Sequence, residues 1–499
     1  MRALLDTNII IHREAERLQN EDIGFLFNWL DRLKIEKCIH PATVTELNNY
    51  GNEQAVKRMN VKIGNYNILK TIAPLAEEVQ KLSATLDKTQ NDRVDTQLLN
   101  EVYSGRVDFI ITEDKNIHTK GSLLGISSKI FKIDEYLEKA AAENPNLVDY
   151  TVLAVKKQYF GEVNLTDSFF NSFREDYAEF DSWFIKKSDE TCYVCFQDST
   201  LSAFLYIKVE GADENYADIT PSFSRRKRLK VGTLKVTANG FKIGERFLKI
   251  IFDNALVNKV DEIYVTVFDK TTEHERLISL LEDYGFTFYG DKTSGNGIEK
   301  VYTKPFGSAA IIDKAHPKIG YPYISDDSDI FIAPIYPDYH TELFPDSILR
   351  TESPKDFVEN EPHRNAISKV YISRSWERGL QPGDRLVFYR TGGYHVGVAT
   401  TVGVVESIIT DIPDVRTFIR LCRKRSVFTD EELVKHWNHQ PGNHPFIVNF
   451  LYVGSFKRRP NLKWLIDNQV IADVNSVPRG FSRISQQDFD NIVKYSRNL

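Results

Sequence analysis

Cysteine is scarce: four in 499 residues exclude a disulfide scaffold as the basis of the fold. The pair in Cys192-Tyr-Val-Cys195 has C-x-x-C spacing but lies in an apolar, strand-like run, where residues three apart point to opposite faces. No second pair completes a zinc site. Long hydrophobic runs are also missing, which excludes a membrane-spanning helix, and Asp6 interrupts the N-terminal apolar stretch too early for a secretory leader. The cytoplasm is the expected compartment, with no membrane partner. Nor is there an excess of positive charge: 64 Lys and Arg stand against 70 Asp and Glu, a net charge of −6. Indiscriminate coating of a polyanion is thereby excluded, but local basic surfaces are not. Three clusters stand out: Arg225-Arg226-Lys227-Arg228 with Lys230, Arg423-Lys424-Arg425, and Lys457-Arg458-Arg459. Each reads first as a solvated face, and their spread would suit a chain that grips a polyanion at several points.

The length predicts about three domains. Lys139-Ala-Ala-Ala-Glu-Asn-Pro145 marks one linker, and Pro305-Phe-Gly-Ser through Pro317, Gly320 and Pro322 marks another. The expected division is a domain over 1–137, a linker over 138–149, a domain over 150–305, a linker over 306–324 and a domain over 325–499. The class is multidomain α/β.

The first residues, Met1-Arg-Ala-Leu-Leu-Asp6-Thr7-Asn8, begin an apolar strand at once and stop it on a carboxylate. In a parallel α/β sheet that is where chemistry is presented, beyond a strand's C-terminal end. Three later acids would join Asp6. Glu46 stands in Thr43-Val-Thr-Glu46, Asp95 in Asn91-Asp92-Arg-Val-Asp95, and Asp114 ends a second apolar strand in Ile111-Thr112-Glu113-Asp114. Crowded carboxylates repel and raise one another's pKa unless a hard cation such as Mg²⁺ or Mn²⁺ neutralises them. Each acid also has a plain structural reading. Thr43 to Glu46 is a capping box, and Asp92 and Asp95 would sit in a helix's first turn, where the dipole favours acids. Together, Leu4-Leu-Asp6-Thr7-Asn8-Ile9, the isolated Glu46, Val94-Asp95 and Ile111-Thr112-Glu-Asp114 resemble the PIN domain over residues 1–137. The resemblance implies an α/β/α parallel sheet that cleaves RNA with Mg²⁺ or Mn²⁺, Asp6, Glu46, Asp95 and Asp114 being both metal ligands and catalytic. Asp95 is preferred as the third acid, with Asp92 kept as an auxiliary ligand.

In the middle segment a strand, Lys230-Val-Gly-Thr-Leu-Lys-Val236, runs through Thr237-Ala-Asn239-Gly240-Phe-Lys242-Ile-Gly244 into an amphipathic helix from Glu245. A glycine-bearing strand-to-helix turn exposes backbone N–H groups to an anion. With the strand Glu262-Ile-Tyr-Val-Thr-Val-Phe268 and the pair Gly285-Phe286, this order resembles the GNAT acyltransferases over residues 150–305, an α+β mixed sheet. The resemblance implies acetyl-CoA as a cofactor at Asn239, Gly240, Lys242 and Gly244. The sequence departs from that family at Asn239 and at Lys242, where arginine or glutamine and glycine are usual. Leu281 stands where the family often has a tyrosine acid, and leucine transfers no proton. Tyr284, Tyr289, Glu273 and His274 are the substitutes at hand.

The last third reads as β with helical insertions. Lys369-Val-Tyr371-Ile-Ser373-Arg374-Ser-Trp376, a Pro-Gly383-Asp384 turn before Val387-Phe388-Tyr389-Arg390, and His395-Val-Gly397 make a compact barrel pattern. It resembles the PUA-like small β-barrels, including the ASCH and EVE branches, which bind RNA or modified bases. On that likeness Trp376 and Tyr389 would stack on bases and Arg374 and Arg390 would meet phosphate, although barrel aromatics are commonly core. The combined expectation is a metal-dependent endoribonuclease, toxin-like, acting on tRNA or another structured RNA and held by an antitoxin protein. The alternative is an N-acetyltransferase or CoA-responsive regulator carrying a non-catalytic PIN-like scaffold.

Overall fold

The computed structural model describes residues 1–14, 21–48, 63, 66–144, 147, 155–197, 200–237, 242–347, 364, 366–422 and 425–496. The first domain is a parallel sheet in the order β3-β2-β1-β4-β5, with β1 Arg2–Leu5, β2 Glu36–Ile39, β3 Asn67–Ile68, β4 Phe109–Ile111 and β5 Ile130–Phe131. Short apolar strands of this kind need cover on both faces, and side-chain alternation supplies it. Ala3, Leu5 and Ile111 pack one way, with Ile9, Leu26 and Leu137. Leu4 and Ile110 pack the other way, with Leu98, Leu99 and Ile117. The chain winds outward from β1 to β3 and then returns to β4 on the opposite side of β1. The winding reverses between β1 and β4, which leaves a crevice beyond their C-terminal ends.

The second domain is a mixed sheet in the order β6-β7-β8-β10-β11-β13-β12-β9. Its strands are β6 Val155–Tyr159, β7 Thr191–Gln197, β8 Thr200–Glu210, β9 Ile219–Thr220, β10 Arg228–Val236, β11 Glu262–Val267, β12 Thr287–Ser294 and β13 Gly297–Pro305. The parallel pair β10 and β11 is joined through the helix Ile243–Asn258. The two strands pair from Arg228 opposite Glu262 to Val231 opposite Val265 and then part; past the irregularity at Gly232, β10 runs on with β8 and β11 with β13. One face carries the core of Phe247, Ile251, Leu281 and Phe286. An aromatic cluster of Phe160, Phe170, Phe184 and Phe204 lies at the β7–β8 end.

The third domain coils a six-stranded sheet, β15-β18-β17-β16-β14-β19, into a half-barrel. Its strands are β14 Ile330–Ile335, β15 Ser368–Ser373, β16 Arg385–Arg390, β17 Val398–Ile409, β18 Phe446–Ser455 and β19 Ser482–Ile484. Gly403 lets β17 cross close to its neighbours, since a Cβ there would lie 2.7 Å from the Phe450 ring.

Parts of the segments expected to be linkers pack into the cores. The helix Ile133–Glu143 runs past residue 137, and Ala140 and Leu147 belong to the first core. Phe306 and Tyr321 lie in the second core, and the Tyr321 hydroxyl donates to the Tyr452 carbonyl in β18. Ile367 and Leu451 of the third domain join that same core. Among the described residues no helix is long and apolar enough to cross a membrane.

Candidate active site

Asp6 follows β1 and Asp114 follows β4 by three residues, so the two acids flank the crevice where the winding reverses. Asp6 is 6% exposed, and its carboxylate accepts from the Thr7 amide at 2.6 Å and the Thr112 hydroxyl at 2.7 Å. The same Thr112 hydroxyl accepts from the Asp114 amide at 3.0 Å, tying the two strand ends together. The Thr7 hydroxyl donates to Glu46 and lies 3.3 Å from that of Thr43. Glu46 is thus brought to the crevice by the helix Pro41–Asn48, which begins two residues before Thr43. The capping-box reading fails for that reason: Thr43 lies inside the helix and Glu46 reaches towards Thr7.

Asp95 lies on the helix Gln90–Tyr103 and faces the other acids. Burial first and the charge of Asp114 next push its pKa up to about 7; Lys120 opposes them, by more than either Asp6 or Glu46 adds. Burial also raises the pKa of Asp6; the Thr112 and Thr7 hydrogen bonds oppose this, and the charges of Asp114 and Glu46 add to it. Asp92 does different work. It closes a capping box with Thr89, accepting the Thr89 amide at 2.8 Å and the Lys88 amide at 3.0 Å. Asp114 is itself the N-cap of the helix Lys115–Leu123, accepting from Asn116 and Ile117 at 2.6 and 3.1 Å.

Sequence reasoning missed Thr7, Thr112 and Lys120. The threonines adjoin acids already singled out, so a signal was present. The buried Lys120, which pairs with Asp87 at 2.7 Å and bonds the Asp92 carbonyl at 2.7 Å, has none in the sequence. Among the described residues no three Asp, Glu, His or Cys groups stand close enough to hold an ion in this arrangement. The donor set nonetheless suits a hard divalent cation. Burial and the neighbouring carboxylates raise the pKa of Asp6 and push that of Asp95 up to about 7, and a hard cation would relieve that repulsion.

In the middle domain, Asn239 and Gly240 lie outside the described residues. Lys242 has φ of 59°, a left-handed conformation that favours glycine. Its ammonium donates to Glu245 at 2.8 Å and so does not stand free for a phosphate. Glu245 also accepts the Ile367 and Ser368 amides at 2.9 and 3.1 Å, and Arg246 pairs with Asp346 at 2.7 Å, so this turn abuts the third domain. Gly244 faces Leu280, which a Cβ would meet at 2.9 Å. Of the candidate proton donors, Tyr284 is buried beside Glu245, Tyr289 donates to the Ser222 carbonyl, Glu273 is exposed in a helix's first turn, and His274 lines a cleft.

The third domain holds a cleft of about 990 Å³ at the end of β15, lined by Arg374, Trp376, Tyr336, Tyr339, Phe428 and His436 among others. Trp376 is 82% exposed at its rim. Arg374 donates to the His436 carbonyl and keeps a buried Nε without a hydrogen-bond partner among the described residues. Tyr389 and Arg390 correct the sequence expectation. They are 0% and 4% exposed, because every residue of β16 is buried between two apolar layers, so neither stands at a surface to stack on a base or meet phosphate.

Residues 2–116 match the family model of the PIN domain. The N-terminal region is therefore PIN-like, with the crevice acids inside the matched span. No curated protein matches the chain. Among solved structures, the NatC complex bound to Gag peptide and CoA is 15% identical over 31% of this chain and 100% of that one, with a TM-score of 0.22. A GNAT-family acetyltransferase from Streptococcus agalactiae is 12% identical over 31% of this chain and 96% of that one, at 0.21. The Campylobacter jejuni N-acetyltransferase PseH with acetyl coenzyme A is 17% identical over 31% and 99%, at 0.20. At such scores the likeness says nothing of the middle domain's chemistry.

Proposed function

We propose that the N-terminal domain is a divalent-cation-dependent endoribonuclease, with Asp6, Glu46, Asp95 and Asp114 as its ligand set. The observation that carries this reading is that Asp6 and Asp114 flank one crevice to which Thr7 draws Glu46 and which Asp95 faces, its pKa pushed up to about 7 by burial first and by the charge of Asp114 next. A bound Mg²⁺ or Mn²⁺ would polarise a phosphodiester and favour attack by water. The chain's own part is positional. Thr112 links Asp6 to the Asp114 backbone, Thr7 orients Glu46, and Lys120 offsets part of the negative charge beside Asp95. The third domain's cleft, with Arg374 and Trp376, is the site proposed to grip RNA. Arg374 supplies a charge and Trp376 a stacking surface. A structured RNA such as tRNA is the proposed substrate, and a toxin role held in check by an antitoxin protein is the proposed setting. The test is incubation of the purified chain with total RNA, with and without Mn²⁺, followed by mapping of new ends.

A second reading rests on the parting of β10 and β11 beside the N-terminus of the helix Ile243–Asn258, an opening that would admit an extended thioester cofactor such as acetyl-CoA. The pairing of Lys242 with Glu245 opposes it. Calorimetric titration with acetyl-CoA decides the point: saturable heat supports an acyltransferase or CoA-responsive domain, and its absence at millimolar cofactor removes that role.

A further inference from the structure

Lys120 is buried, 4% exposed, on the helix Lys115–Leu123, whose N-cap is Asp114. Its ammonium lies 2.7 Å from one carboxylate oxygen of Asp87, itself buried, and donates to the Asp92 carbonyl at 2.7 Å and the Thr96 hydroxyl at 3.0 Å. The other Asp87 oxygen accepts the Ser83 and Thr96 hydroxyls at 2.6 and 2.8 Å. Asp87 is the C-cap of the helix Glu77–Leu86. The pair therefore joins three helices, and on the helix Gln90–Tyr103 it grips one particular turn. Asp92 and Thr96 are the two ends of that turn, and Asp95 lies within it.

Desolvation makes a buried ion pair a weak source of stability, and apolar side chains of similar volume commonly serve as well. What the pair adds is direction. An ammonium set among fixed acceptors holds one geometry, whereas apolar surfaces can slide. Close seating supports the same geometry. A Cβ at Gly121 would lie 1.9 Å from the Ile130 side chain and 3.6 Å from that of Leu99, so the helix Lys115–Leu123 lies hard against both β5 and the helix Gln90–Tyr103. That fixity matters because these two helices carry like charges, Asp95 on one and Asp114 at the start of the other. Asp114 is the strongest of the charges acting on Asp95. Their repulsion would drive the helices apart if nothing held them.

We propose that Lys120 and Asp87 form a strut that holds the Asp95 helix against the Asp114 helix, so that a divalent cation has only to draw in side chains and not whole helices. Lys120 is thereby a positioning residue for the cation site, one that meets neither the cation nor RNA. The proposal rests on the nuclease reading and adds to it the means by which two of the four acids are kept together.

Calorimetric titration of Mn²⁺ into the full-length protein, with no RNA present, tests it. The variants are Lys120→Met, and Lys120→Met joined with Asp87→Leu, which removes the pair without leaving a buried carboxylate alone. Arg106→Met, which breaks the ion pair with Glu101, controls for loss of stability. Mn²⁺ should bind the parent, and both Lys120 variants should bind it about tenfold more weakly or worse, the usual effect of losing a group that orients a metal ligand. The double variant should melt close to the parent without cation, and Arg106→Met, though less stable, should bind Mn²⁺ as the parent does. At saturating Mn²⁺ the electron paramagnetic resonance of the bound ion should show a less symmetric site in the double variant and the parent's spectrum in Arg106→Met. A folded double variant with the parent's affinity or the parent's spectrum overturns the strut alone, and so does equal weakening in Arg106→Met. No binding by the parent, or undiminished binding by Asp95→Asn, overturns the nuclease reading and the strut with it.

Discussion

Asp95 makes the electrostatics of the N-terminal crevice measurable. Its pKa is near 7 in the fold, whereas an unfolded aspartate titrates at about 3.9. Between those values the folded chain keeps a proton that the unfolded chain has lost. Without divalent cation, this group's contribution to stability therefore declines as pH rises from about 4 to about 7 and is flat above. Asp95→Asn should flatten that decline, so that thermal melts of the cation-free variant exceed those of the parent at about pH 7.5 and approach them at about pH 4. Saturating Mn²⁺ should raise the melting temperature of the parent more at about pH 7.5 than at about pH 5, because protons and cation compete for the same carboxylates. Asp6 and Asp114 were legible in the sequence because each ends an apolar run on a charge. Thr7, Thr112 and Lys120 were not assigned, because their partners depend on contacts such as Thr112 to Asp6, 106 residues apart, which exist only once β1 and β4 are side by side.

At the scale of elements, Asp114 serves two roles that substitution separates. Asparagine caps a helix as well as aspartate, so Asp114→Asn should change stability by no more than about 0.5 kcal/mol while cation-dependent cleavage is lost. Asp114→Ala removes the cap as well and should cost about 1 kcal/mol, read by chemical denaturation. Thr7→Val leaves the strand and helix intact but frees Glu46. Cleavage should fall about tenfold, with little change in melting temperature. Helices and strands were readable from periodicity, but where a helix begins decides what its side chains do. Thr43 and Glu46 matched a capping box, yet Pro41 starts the helix and turns Glu46 to the crevice. The barrel strand that carries Tyr389 and Arg390 alternates too weakly for sequence alone to show that both its faces are covered.

At the scale of the whole molecule, the three domains are interlocked. Glu245 holds the backbone of Ile367 and Ser368, Leu451 sits in the second core, and the Phe131 ring lies 4.7 Å from that of His395. Deleting 325–499 should therefore destabilise what remains, and point variants are the sounder probe of the third domain. Arg374→Ala and Trp376→Ala should raise KM for a structured RNA several-fold, with a smaller change in kcat, because remote contacts contribute binding shared by ground and transition states. Arg374→Ala should also make the dependence of log affinity on log salt shallower by about one contact. The multidomain α/β class was legible; the burial of Phe306 and Tyr321 in a segment expected to be a linker was not, because they find their partners only in the assembled core.

The central claim is that the crevice acids cleave RNA with a divalent cation. Its most direct measurement compares the full-length chain with Asp6→Asn and Asp114→Asn on total RNA, each with Mn²⁺ and with a chelator, with new 5′ and 3′ ends mapped by sequencing. New ends should arise at defined positions with the parent chain in Mn²⁺ and in no other lane, while both variants melt like the parent. Ends that persist in the chelator, or that both folded variants still produce, would contradict it.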